Sequence, residues 1–320
     1  MKIIGVDIGG TSIKAAVVDE KGVFINRFSL PIDHAQSGVE TIKGLGKSIQ
    51  DVLLKNHLAT KDIKGIGIGC PGSINSLTGV CDYSNNLGWE SVPVVSIIQT
   101  QTSIPCKIAN DANAAILGEV RFGVAKRYHN VVLLTLGTGV GGGLYLNDRL
   151  YEGNDSKGAE LGHSLLVMNG RKCTCGRRGC LEAYASVSAL IRDTKKAMRK
   201  ERGSQMWDFV RGDIDKVDGR TAFECAKKGD LAAKKVVKDY FQYLGEGCLS
   251  FINVFRPDAI VLGGGLSGQK EALTKPLQSY LEEKGYGFGG AHSPKVEILV
   301  SNLGNDAGIL GAAALWTESE

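Results

Sequence analysis

Long apolar runs are missing from this chain. None of its 320 residues falls in a stretch approaching the ~18 consecutive apolar residues of a membrane span, and the opening MKIIGVDIGG carries Asp7 too early for a leader peptide. Blocks of like charge are missing too. Net charge is only +4, and the basic run Lys195, Lys196, Arg199, Lys200 reads as the wet face of a helix, which argues against a nucleic-acid partner. Neither the Gly-x₄-Gly-Lys-Ser/Thr loop nor a Gly-x-Gly-x-x-Gly opening a helix occurs, so the P-loop and dinucleotide-binding classes are set aside. With no secretory context, the eight cysteines imply a reducing, cytoplasmic setting rather than a disulfide framework.

What is present is ordinary globular composition, 43% hydrophobic, at a length that suits about two domains. Ile3–Ile8, a Gly9-Gly10-Thr11 turn and Ile13–Val18 form a strand–turn–strand unit. Val131–Leu136, Gly137-Thr138-Gly139 and Val140–Leu146 repeat it, which suggests duplication on the scale of half the protein. Helices are predicted over Val39–Leu58, Val187–Lys200 and Leu231–Phe255, the last with an apolar stripe at Val237, Tyr240, Phe241, Leu244, Cys248, Phe251, Ile252 and Phe255. Glu201–Gly219 reads as a polar, mobile connection. Strands are predicted at Ile63–Cys70, Ala259–Leu262 and Val296–Val300, with Ser267 as a helix cap after Gly263–Gly265. Strands alternating with helices give an α/β class.

Three glycine-rich turns, 9–11, 137–143 and 263–265, expose backbone N–H groups that can hold phosphate oxygens, and together they favour a nucleotide. Asp111, in ANDANAA, stands where a helix begins. It can be the N-cap, a general base kept ionised by the helix N-terminus, or both. His163, Cys173, Cys175 and Cys180 lie at metal-ligand spacing, flanked by Glu160 and Glu182. Four N/S ligands close a tetrahedral Zn²⁺ shell and leave no position for substrate, so the ion is expected to be structural. The remaining cysteines, Cys70, Cys81, Cys106, Cys225 and Cys248, read as small core hydrophobes.

Together these motifs resemble the ROK family of bacterial sugar kinases and sugar-responsive repressors. Asp7-Ile8-Gly9-Gly10-Thr11 with Lys14 resembles its first phosphate motif, Leu136–Gly143 its second and Gly263–Gly265 its adenosine motif. Gly153 through Glu160-Leu161-Gly162-His163, and Cys173-x-Cys175-Gly176-x-x-Gly179-Cys180-x-Glu182, resemble its two signatures. The resemblance implies a duplicated, actin-like (ribonuclease H-like) α/β fold with a ligand cleft. Its small domain would take 1–111 plus 304–320, and its large domain 112–303, with a zinc loop over 163–180.

By the same resemblance, Asp111 takes the proton from the sugar hydroxyl. Gly72, Asn86, Asn110, Glu160, His163 and Glu182 contact the sugar. Asp7, Gly9, Gly10, Thr11, Lys14, Thr138, Gly139, Gly264 and Gly265 serve Mg²⁺-ATP. The implied reaction is ATP-dependent phosphorylation of a hexose at O6, glucose first, with N-acetylglucosamine, N-acetylmannosamine, mannose or fructose as alternatives. A repressor is disfavoured, because the phosphate motif begins at residue 5 and leaves no room for a helix-turn-helix domain before it. A homo-oligomer, dimer or tetramer, is expected from the family's habit.

Overall fold

The structure is a computed structural model describing residues 1–285 and 295–317; residues 286–294 of the expected large domain and 318–320 of the expected small one lie outside the described residues. In chain order, β1 (Lys2–Ile8), β2 (Ser12–Asp19) and β3 (Phe24–Pro31) precede α1 (Gly38–Lys55). Next come β4 (Ile63–Cys70), β5 (Ser73–Asn75), β6 (Val80–Ser84), β7 (Trp89–Val92), α2 (Val94–Thr102), β8 (Cys106–Asn110) and α3 (Asp111–Arg121). The second half opens with β9 (Val131–Leu136), β10 (Val140–Leu146) and β11 (Arg149–Leu150). Helices α4 (Glu182–Ala185), α5 (Val187–Lys200), α6 (Met206–Phe209), α7 (Thr221–Lys227) and α8 (Leu231–Phe255) follow. The chain closes with β12 (Ala259–Gly263), α9 (Glu271–Lys284), β13 (Glu297–Val300) and α10 (Ala307–Ala314).

These elements divide into two compact units. The first comprises Met1–His129, Gly143–Ala159 and Asn302–Glu320, and the second Asn130–Gly142 and Glu160–Ser301. Helix α3 and the segment 143–159 therefore lie with the first unit, whereas the sequence expectation began the large domain at 112.

In the first unit the main sheet runs β3-β2-β1-β4-β8, with β1 antiparallel to β2 and parallel to β4. Its strands supply a core of Ile4, Val6, Ile8, Ile66 and Ile68, covered by Ile42, Leu45 and Ile49 of α1. Ser37 caps α1 by accepting from Glu40 N–H at 3.3 Å, a serine three residues ahead of a glutamate. Helix α10 lies on the sheet's other face so closely that a Cβ at Gly5 or Gly67 would strike the carbonyls of Ile309 or Ala312. That approach explains the glycine-laced sequence IKGIGIGC of β4, since any side chain there would lift the helix off the strands. A small antiparallel sheet, β5-β6-β7, completes the unit.

The other five-stranded sheet has the order β11-β10-β9-β12-β13, the same sequence of hairpin strands followed by parallel strands. The duplication expected from the paired Gly-Thr turns is thus a property of whole sheets. In the second unit, α8 begins at Asp230, whose carboxylate accepts from Ala233 N–H at 2.7 Å, and ends where Arg256 turns left-handed at φ 48°. Its stripe is buried from Tyr240 to Ile252 as expected, but Val236 rather than Val237 faces inward. The helix starts at Leu231, and the register at its first turns is set by the cap.

Two further expectations are corrected. Residues 201–219 are not a bare connection: α6 and a 3-10 turn at Ile214–Lys216 occupy them, and Asp230 holds the segment through Ser204 Oγ at 2.9 Å and Gln205 N–H at 2.7 Å. Ser267 caps no α-helix. It sits inside the 3-10 helix Gly265–Gln269, its hydroxyl donating to Gly264 O at 2.7 Å. Among the described residues no helix is long and apolar enough to cross a membrane.

Candidate active site

In the first unit the expected residues gather at the ends of parallel strands, where open α/β sheets present ligands. Asn110 closes β8 and is the N-cap of α3, its Oδ1 accepting from Ala112 N–H at 2.9 Å. Capping thus falls to Asn110, and Asp111 is the first helical residue, released from the capping role considered for it. The amide of Asn110 also donates to Gly72 O at 3.1 Å, so Gly72, Asn110 and Asp111 are brought together. Asn86 is exposed on the turn between β6 and β7.

Asp111 keeps an exposed edge, but the protein crowds the rest of it. That desolvation raises its pKa above the ordinary carboxylate value, while the N–H groups of Ala112 and of Asp111 itself, and the Asn110 side chain, pull it back. Asp7, near the end of β1, is pushed up to about 6 by burial, by the neighbouring Asp111 charge and against the pull of Lys14. Lys14 stands directly across the hairpin from it, and the Asp7 carboxylate rests against Gly308 in the first turn of α10. Two carboxylates sharing one field in this way are a recurrent mark of functional sites. Gly10 and Thr11 are exposed on the β1–β2 turn, which Gly9 N–H closes onto Ser12 O at 3.0 Å.

In the second unit, the ligand atoms of His163, Cys173, Cys175 and Cys180 all lie within 4.8 Å of one another. Bonds of ~2.3 Å to sulfur and ~2.0 Å to nitrogen at tetrahedral angles place S···S at ~3.8 Å and S···N at ~3.6 Å. Cys175 and Cys180 sulfurs are 3.7 Å apart, and Cys173 Sγ is 3.6 Å from His163 Nδ1, so the donor set fits such an ion. Burial holds the Cys173 thiol up at about 12, whereas the Arg177 backbone N–H lowers the pKa of Cys175. A cation held there would supply the charge that lets all three become thiolates.

The loop is shaped for this. Gly176 and Gly179 take φ of 88° and 86°, and Cys173 N–H donates to Arg177 O at 2.9 Å. Arg177 and Arg178 are exposed and reach the carbonyls of His163 (3.5 Å) and Gly170 (3.0 Å).

Glu182, at the start of α4, joins the Cys loop to the second glycine turn. One carboxylate oxygen accepts from Thr174 Oγ1 at 2.7 Å, and the other accepts from Val140 N–H at 3.1 Å, where it fills the space a side chain at Gly139 would need. Thr174 was not foreseen; a hydroxyl between two ligand cysteines was its only signal. Glu160 is exposed, and its carbonyl accepts from His163 N–H at 3.0 Å. Thr138 is exposed on its turn, while Gly264 and Gly265 follow β12 and begin the 3-10 helix.

Duplicated sheets of this order, each with a glycine turn between its hairpin strands, define the two-domain, actin-like fold of the sugar kinases. The ROK family profile matches residues 3–319, and the chain belongs to the ROK family. It is similar to the glucokinase of Thermotoga maritima, 34% identical over 99% of this chain and 98% of that one. It is also similar to the glucokinase of Halalkalibacterium halodurans, 32% identical over 99% and 95%. A solved ROK family glucokinase from Streptomyces griseus, in complex with glucose and AMPPNP, superposes with a TM-score of 0.79 at 31% identity, covering 98% of this chain and 99% of that chain.

Proposed function

We propose that the protein is an ATP-dependent sugar kinase phosphorylating a hexose at O6, with glucose as its first substrate. The observation carrying this reading is the cluster of Asp111, Asn110 and Gly72 at the head of α3, in a chain so similar over its whole length to glucokinases. Asp111 has a carboxylate that meets solvent, sits in the positive end of a helix and has a raised pKa, which suits a general base working near neutrality.

In the proposed step Asp111 accepts the proton of the sugar hydroxyl while that oxygen bonds the γ-phosphorus. The bond from phosphorus to the bridging oxygen breaks, and ADP leaves with the electron pair. Phosphoryl transfer of this kind needs mainly positioning and charge stabilisation. Gly72, Asn86, Asn110, Glu160, His163 and Glu182 are assigned to the sugar. Gly9, Gly10, Thr11, Lys14, Thr138 and Gly139 are assigned to the phosphates, and Gly264 and Gly265 to the adenosine. Asp7, a hard oxygen donor, is assigned to the Mg²⁺ that accompanies ATP.

The His163–Cys173–Cys175–Cys180 set would hold Zn²⁺, which supplies rigidity to the loop. Through Thr174 and Glu182 that rigidity passes to Val140 and the second glycine turn. Assembly as a dimer or tetramer belongs to the same proposal and is checked by light scattering.

A coupled assay of ADP release against glucose, mannose, fructose, N-acetylglucosamine and N-acetylmannosamine tests the reading. Highest kcat/KM with glucose is expected; another sugar in first place revises the substrate, and no turnover with any of them overturns the enzyme.

A further inference from the structure

The segment that leads into Glu160 is closed on itself and fastened to the β5–β6 hairpin. Gly158 N–H donates to Glu152 O at 2.7 Å, so residues 152 and 158 meet at the neck of a small loop. A Cβ on Gly158 would come within 3.0 Å of Gly153 Cα, which is why both ends of the neck are glycine or abut one. Ser156, at the loop's tip, is buried and holds φ at 63°. Its hydroxyl is 2.7 Å from Ser76 Oγ, and Ser76 Oγ also reaches Glu152 Oε2 at 3.2 Å. One serine of the β5–β6 turn thereby touches both the base and the tip of the loop. Next to it, Lys157 Nζ pairs with Asp82 Oδ2 on β6 at 2.8 Å. Ala159 then takes φ 63°, and the chain passes to the second unit at Glu160.

A non-glycine residue at such φ costs free energy that its surroundings must offset. Ser156 and Ala159 both stand there within four residues, so the segment is held in one conformation rather than left to choose. The hairpin that holds it carries Gly72 just before β5 and Asn86 just after β6, both assigned above to the sugar. The segment itself delivers Glu160 and His163, assigned to the same ligand.

We infer that Ser76, Ser156, Asp82 and Lys157 are positioning residues for sugar binding: they fix the segment 152–159, which leads to Glu160, against the hairpin bearing Gly72 and Asn86. The inference rests on the sugar assignment of Glu160. The residues act by removing conformational freedom before the ligand arrives, a gain that appears in ground-state binding of the sugar.

The test is steady-state kinetics on the full chain, with glucose and ATP varied in turn, for Ser76→Ala, Lys157→Met, the two combined, and the charge exchange Asp82→Lys with Lys157→Asp. The ion pair is about a third exposed on each side, so Lys157→Met alone is expected to raise the glucose KM only about two- to threefold. Loss of the more enclosed serine contact should raise it about fivefold, and the double variant about tenfold, with kcat and the ATP KM within twofold of the parent. The charge exchange should return the KM toward the parent's.

A glucose KM within twofold of the parent in the double variant overturns the inference. So does an equal change in the ATP KM and kcat, which would mark general loosening. Glu160→Gln separates the two levels. If it leaves the glucose KM unchanged, the sugar assignment itself fails and the inference falls with it. If it raises that KM while the double variant does not, only the positioning role fails.

Discussion

Asp111 is the one residue asked to move a proton, and the sharpest test is made on it. Asp111→Asn keeps the shape of the side chain and its place at the head of α3 but removes the base. Turnover should fall by more than the ~10²–10⁴-fold typical of general-base loss, since in the proposed step the carboxylate would also orient the hydroxyl. Sugar binding, measured by calorimetry, should remain; near-normal turnover would sink the assignment.

Asp7 gives a second test at this scale, with a sign fixed by its raised pKa. Its folded value of about 6 stands above the ordinary 3.8. Its contribution to stability is therefore fully present below about pH 3.8 and is lost as pH rises through about 6. Asp7→Asn should raise the melting temperature at pH 7.5, by at most about 3 kcal/mol of stability, and leave it unchanged near pH 3.5. It should also weaken ATP binding. A melting temperature that does not respond at either pH would show that Asp7 feels no burial penalty.

Single residues were only partly legible in the sequence. The clustering of His163 with Cys173, Cys175 and Cys180 was legible because Cys-x-Cys with a nearby histidine has few other uses. The division of labour between Asn110 and Asp111 did not, since both are good caps and only the strand end decides which one turns the corner. Ser76, Asp82, Ser156 and Lys157 gave no signal at all, because their contacts join positions some eighty residues apart.

At the scale of elements, the Cys loop is the clearest case of structure imposed by side chains rather than by backbone propensity. Apart from short turns and isolated bridges it has no regular secondary structure from Ser164 to Leu181; backbone bonds such as Leu166 N–H to Gly179 O at 2.8 Å and the packing of Cys173, Cys180 and Tyr184 hold it beside the proposed zinc ligands. Stripping the proposed Zn²⁺ with a chelator, or Cys175→Ala, is expected to release Thr174 from Glu182 and lower sugar affinity by about tenfold or more. Metal content by emission spectroscopy must fall in parallel. Unchanged sugar affinity in verified metal-free protein would refute the coupling.

Helices were legible where an apolar stripe was long, as in α8, and illegible where polar residues are held by a single buried acid. Asp230, which both caps α8 and pins Ser204 and Gln205, anchors the start of the segment 201–219, while Asp213 caps its 3-10 turn. The partners of Asp230 on that segment lie some twenty-five residues upstream of the helix it starts, beyond the reach of any periodicity.

For the molecule as a whole, the first unit is assembled from three stretches of chain, the last beginning at Asn302. Its sheet is closed by α10, set tightly against Gly5 and Gly67 on one side and against Ala114 of α3 on the other. Deleting 302–320 should therefore unfold the first unit while the second, drawn from Asn130–Gly142 and Glu160–Ser301, keeps its core. Hydrogen exchange should lose protection over β1, β4 and β8 and retain it over β12 and α8; uniform loss would show that the units fold as one. The α/β class and the duplication could be read from the repeated Gly-Thr turns. The unit boundary could not, because α3 continues the second half's sequence yet packs on the C-terminal helix.

The two sheets share a strand order, and one equivalent position carries different chemistry in each. Near the end of β1 stands Asp7, a charged group facing Lys14 across its hairpin. At the same place in β9 stands Thr135, a neutral hydroxyl that accepts from Gly141 N–H of its own return strand at 3.2 Å. One copy thus uses this position to hold its hairpin together, while the other places a largely buried carboxylate there. The same strand order therefore carries a charged, largely buried group in one sheet and a neutral hydroxyl bonded within its own hairpin in the other, so the chemistry at this turn differs while the fold does not.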